Sequence, residues 1–210
     1  MAFRISISYV AIAGLAACAI PDENTLNRSD LAAFTADDLR ANSTALNFTP
    51  AADIPTGSAS YEGHVRSAAI VNGEDDYNIL GLLELDIDIS GTATRDGTGT
   101  VSGTISELNL FDDNNNGFDD QAFDGDLSIS GNVDEGRIDA TATGVLGAVL
   151  DDVLVEQTST WSLDLDGDLR TDFEPADVAS GRVSGGTTGT ASDDYDVLLT
   201  GGGGFLAERE

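Results

Sequence analysis

Between Leu83 and Ser90 the chain alternates without a break, LELDIDIS: Leu83, Leu85, Ile87 and Ile89 share one face, Glu84, Asp86, Asp88 and Ser90 the other. A period of two marks a half-buried strand. The same period, less strict, predicts strands in SASYEGHV (58–65), GTVSGTISELNL (99–110), AFDGDLSISG (122–131) and RIDATATG (137–144). It continues in TSTWSLDLDG (158–167), DVASGRVSGG (177–186) and DYDVLLTGGGGFLAE (194–208). Connections such as RDGTG and NVDEG have the chemistry of hairpin turns. Eight successive short strands at hairpin spacing predict an all-β, antiparallel up-and-down meander. Closing it into a barrel removes its two exposed edges.

Upstream of Gly57 the pattern is different. Asp30 to Ala41, DLAAFTADDLRA, opens on an acid, Asp30, and carries Arg40 near its end, which suits a helix dipole, with Ser29 as the expected cap. Leu31, Ala32 and Leu39 give this short helix a thin apolar stripe. NSTALNFTPAADIPTG, broken by Pro50 and Pro55, reads as linker.

The direction of the apolar face decides the solvent. With apolar residues outward, as in a membrane barrel, Glu84, Asp86, Asp88, Asp124, Asp126, Asp164 and Asp166 would crowd a narrow interior. The chain has too few arginines to pair them and lacks aromatic girdles, and unpaired buried carboxylates are costly. The expectation is a soluble eight-stranded barrel, apolar inside and acidic outside.

Charge sharpens this picture. Thirty-eight Asp and Glu against nine Lys and Arg give a formal net charge of -29, and every one of those nine is arginine. Phosphate affinity needs clustered cations, so nucleic acid is not an expected partner. Met1 to Arg4 followed by the apolar run Ile5 to Gly14 has the layout of a signal peptide, and the run is shorter than a membrane-spanning helix requires. Leu15-Ala16-Ala17-Cys18 then resembles the lipobox of bacterial lipoproteins. That resemblance implies a signal peptide over 1–17, cleavage before Cys18 and acyl chains on that cysteine, which anchor the protein to its membrane. Cys18 is the only cysteine, so no disulfide framework is expected.

Candidate chemistry is sparse. DDNNNGFDDQAF (112–123) places Asp112, Asn114, Asn116 and Asp120 at the first, third, fifth and ninth positions of a calcium loop, with Gly117 at the turn. The twelfth position, where a bidentate Glu belongs, is Phe123, with Asp124 one residue beyond. A solvated hairpin loop is the competing reading, and Ca²⁺ is the one cofactor considered. Asp164, Asp166, Asp168 and Asp172 in DLDGDLRTDFEPAD are read as a surface hairpin with Gly167 in its turn. His64, the sole histidine, has no marked serine or cysteine for nucleophilic catalysis and is read as a strand residue near the barrel rim. Tyr61 and Trp161 are read as core.

Several stretches resemble transferrin-binding-protein-like lipoproteins. IPTGSASYEGHV (54–65) is similar to the entry into their barrel, and VSGTISELNL and FDGDLSISGNVDEGRIDATATG are similar to their Gly-punctuated hairpins. GGGGFLAERE (201–210) resembles the terminal strand that closes the barrel. The resemblance implies a tether with a short helix over 18–57, a barrel over 58–210, a place on the outer membrane and display at the cell surface or toward the periplasm. The chain has room for one barrel and no handle domain, so transferrin binding itself is not implied. The expected function is a non-enzymatic binding module that takes a protein ligand or serves nutrient uptake, including iron or haem. The alternatives are a lipocalin-like small-ligand carrier and a calcium-stabilised envelope module, with a hydrolase last.

Overall fold

The computed structural model describes residues 26–34, 46–90, 97–112, 121–148, 157–172, 174–188, 196–200 and 202–210. One short helix, α1 (Arg28–Ala33), comes first, then β1 (Asn47–Phe48), a 3-10 turn (Ala51–Asp53), β2 (Gly57–Val71), β3 (Glu74–Ile89) and β4 (Gly99–Asp112). They are followed by β5 (Gln121–Ala122), β6 (Leu127–Asp134), β7 (Arg137–Ala148), β8 (Gln157–Thr171), β9 (Val178–Thr187), β10 (Val197–Leu199) and β11 (Gly204–Arg209).

Strands β2, β3, β4, β6, β7, β8 and β9 pair antiparallel, each with the next. Strands β10 and β11 both lie between β9 and β2, so they are two pieces of one stave. The result is a closed, up-and-down barrel of eight staves. The expected fold stands, and the terminal strand closes it, through the pairing of Gly204 to Arg209 with β2.

Alternation sets the layers. Leu83, Leu85, Ile87 and Ile89 are buried while Glu84, Asp86 and Asp88 are exposed. Asp124, Asp126, Asp164 and Asp166 are exposed as well. Eight staves leave an interior that side chains can just fill. Trp161, Phe205, Ile79, Leu127 and Ile138 are among those that fill it. Phe123 meets Trp161 edge-on with ring centroids 5.2 Å apart. Tyr61 donates its hydroxyl to the Ala176 carbonyl at 2.7 Å, and burial pushes its pKa up to about 12. Both aromatics are core residues, as expected.

Two hairpins turn on residue pairs at positive φ, Asn72–Gly73 and Glu135–Gly136, which match the twist of the flanking strands. The second is the NVDEG turn anticipated above; the first extends β2 and β3 well beyond their expected ends. Gly167, expected in a turn, instead lies within β8 opposite Gly181 of β9. A side-chain carbon on Gly167 would sit 2.6 Å from the Phe205 ring, and one on Gly181 2.7 Å from it. The two glycines make room for that ring. The chain instead turns between β8 and β9, where the Asp177 carboxylate accepts from the backbone N–H groups of Asp172 (2.8 Å) and Glu174 (2.9 Å).

From Asn47 onward, the stretch read as linker is joined to the barrel. Asn47 and Phe48 pair with β8, and Thr49 Oγ1 accepts from Ala176 N at 3.1 Å. Ile54 enters the barrel core and sits against Gly97 and Gly136. A cavity of only about 20 Å³ remains at this end.

Helix α1 differs from expectation too. Its cap is Asn27, not Ser29: the Asn27 side chain accepts from Ser29 N, and Asp30 reaches back to Asn27 N, a capping box. The helix ends at Ala33, and Phe34 leaves it at φ -110, ψ 74. Its seat is made by a bulge in β4. Leu80 pairs with Asn109 and Leu82 with Ser106, so β4 holds an extra residue, and Glu107 takes φ 48. The bulge inverts the facing of β4, keeping Leu108 and Leu110 inside and turning Phe111 out beside Leu80. Leu31 covers that outward pair, with Leu26 and Phe34 packed against it.

Candidate functional site

The anticipated site residues fall in different places. Cys18 lies outside the described residues, as do Asn114, Asn116 and Asp120. Asp112 is the last residue of β4, and its backbone carbonyl accepts from Arg28 Nη2 at 2.9 Å. Asp124 is exposed, and its backbone exchanges hydrogen bonds with Gly147 at 2.7 and 2.8 Å. Among the described residues no three His, Cys, Asp or Glu side chains gather as a metal site. Asp168 pairs with Arg170 Nη2 at 2.7 Å and lies 3.9 Å from Arg137.

A different surface draws chemistry together. On the outer face of β2 the alternate residues are Ser60, Glu62, His64 and Arg66. The registers place His64 opposite Leu82 of β3 and Leu206 of β11, an apolar row across three strands. The next row sets Glu62 opposite Glu84 and Glu208. Directly opposed side chains have Cβ atoms about 4.5–5.5 Å apart, and like charges so placed are destabilising.

Helix α1 supplies one wall. Arg66 donates from Nη1 to the carbonyls of Leu31 (2.6 Å) and Phe34 (2.7 Å), holding the end of the helix against the barrel. The Phe34 ring is thereby stacked on His64, centroids 3.9 Å apart and planes 20° apart. Phe34, His64, Leu82 and Leu206 then form the apolar side of a groove of about 430 Å³, and Glu62, Glu84 and Glu208 its acidic side. That volume lies in the range of small-ligand and side-chain pockets.

The two rows shift their titrations oppositely. Burial against Phe34 lowers the His64 pKa, with Asp30 partly opposing, so the imidazole is neutral at pH 7. A hydrogen bond with Glu210, then repulsion from it, raises the Glu62 carboxyl above its usual range, and Glu84 adds to this. Glu210 is held nearby by its backbone N–H, which donates to Ser60 O at 3.0 Å. A neutral imidazole on an apolar shelf therefore adjoins a bank of crowded carboxylates, a surface suited to a cation with an apolar body.

His64 was thus correctly placed on a strand, but in its middle rather than at the rim, and the groove around it was not anticipated. The signals were present as Glu62, Glu84 and Glu208, each beside an apolar alternate position, but only the register aligns them.

No family model matches the chain, and no curated protein matches it. Comparison with solved structures finds DynF from the dynemicin biosynthesis pathway of Micromonospora chersina, at 8% identity and a TM-score of 0.44. The match covers 77% of this chain and 84% of that one. A likeness this distant assigns no activity here, and the expectation of a non-enzymatic chain draws no support from it.

Proposed function

We propose that the chain is a lipid-anchored protein of the bacterial outer membrane whose barrel presents a binding face to a protein ligand. The observation that carries the anchor is Leu15-Ala16-Ala17-Cys18 at the end of the apolar run from Ile5. The barrel supports the rest: its polar face points outward, Ile54 and the segment before it close one end, and a groove opens on its outside. The resemblance to transferrin-binding-protein-like lipoproteins favours display at the cell surface and a part in nutrient acquisition. Several acyl chains give stable anchoring where one does not, so no membrane-binding surface is required of the barrel.

The test is direct. In a bacterial host, Cys18→Ser should abolish incorporation of labelled palmitate, leave unprocessed precursor and release the protein from the membrane fraction. Normal processing and membrane retention of the variant would remove the anchor from this reading. Protease treatment of intact cells then asks whether the barrel faces outward.

A further inference from the structure

We infer that the groove between α1 and strands β3, β2 and β11 binds a basic amphipathic peptide segment of a partner protein, one that carries arginine or lysine next to aliphatic side chains. The inference rests on the reading of the barrel as a binding module and gives that module its site and its ligand chemistry.

Charge complementarity selects the occupant. Glu208, Glu62 and Glu84 stand opposite one another across three strands, and the backbone N–H of Glu210 donates to Ser60 O at 3.0 Å, which brings a fourth acidic residue beside the row. Such a row opposes its own folding, and a cation set against it relieves the repulsion. A bare metal ion does not fit, because no three described carboxylates converge on a point. The adjoining row of Leu206, His64 and Leu82, walled by Phe34, offers no charge and takes an apolar side chain. A peptide with both properties meets the two rows at once. The chain itself has no lysine, and its net charge of -29 draws cationic partners from a distance and speeds their encounter.

The experiment uses the full-length chain in mild detergent at about 0.15 M salt, where long-range attraction is largely screened. The probe is a fluorescein-labelled hexapeptide alternating leucine and arginine, read by anisotropy. A serine–arginine hexapeptide keeps its charge without its apolar side chains. The leucine–arginine probe should bind at least tenfold more tightly than the serine–arginine one. Glu62→Gln with Glu84→Gln should weaken it at least tenfold, whereas Asp164→Asn with Asp166→Asn, on β8, should change it less than twofold. Both pairs remove acid from an exposed surface, so folding should be retained, and melting curves check it.

Equal loss in the two double variants, or equal affinity for the two peptides, would reveal diffuse polyelectrolyte attraction and overturn the proposal. So would absence of binding. Binding that emerges only after residues 35–45 are replaced by a Gly–Ser linker would assign the groove to the chain's own segment, and also overturn it. The Cys18 test does not involve the groove, so failure of the anchor and failure of the site are separately visible.

Discussion

At the scale of single residues, His64 carries the most information. Its stack on Phe34 exists because Arg66 fixes the carbonyl of Phe34, and burial under that ring keeps the imidazole neutral. The unfolded chain protonates His64 near pH 6.5, the folded chain only at lower pH. Its contribution to stability is therefore complete above about pH 6.5 and is lost as pH falls through the folded value. Glu62 has the opposite sign: its contribution is complete below about pH 4.5 and lost as pH rises through its raised folded value. Lowering the pH from about 7.5 to about 5.5 should thus reduce the urea midpoint of the wild type, and His64→Phe should flatten or reverse that fall. An unchanged fall in the variant would place the acid sensitivity elsewhere.

At the scale of elements, β3 shows how far alternation alone can be read. Ile87 is 1% exposed and Asp88 is exposed, as the period of two requires. Ile87→Asp should cost about 3 kcal/mol or more, because a carboxylate enters the core without a partner. Asp88→Ala should change stability by less than about 0.5 kcal/mol, since it alters only the solvated face. Urea unfolding of the two variants checks this, and similar losses would mean the facing is reversed. Helix α1 was less legible. Its cap is set by Asn27 in competition with Ser29, and its end by Arg66, a residue 32 positions beyond Phe34 in the chain. The β4 bulge was illegible for the same reason: ISELNL alternates poorly, but only pairing with β3 reveals that Glu107 is the extra residue.

At the scale of the whole molecule, closure and charge act against each other. Pairing of β10 and β11 with β2 leaves the ring without a free edge, while 38 acids on a chain with nine cations repel across its surface. Salt screens that repulsion, shortening its reach from about 30 Å at 0.01 M to about 3 Å at 1 M. Raising NaCl from about 0.05 M to about 0.5 M should therefore raise the melting temperature by a few degrees. A flat response would show that the exposed acids are already compensated.

Eight staves, their meander, the apolar-inward facing of β3 and the Glu135–Gly136 turn are readable from the sequence alone. These depend on local periodicity and on backbone preferences that a few neighbouring residues express. Only the tertiary structure decided that 46–57 plugs the barrel, that Gly167 and Gly181 yield space to Phe205, and that a bulge in β4 seats α1. It also decided the groove, because Phe34, Glu62, Glu84 and Glu208 come from four segments far apart in the chain. Alternation says which face a side chain takes; register alone says which side chains on that face stand opposite one another, and opposition is what gives this surface its charge.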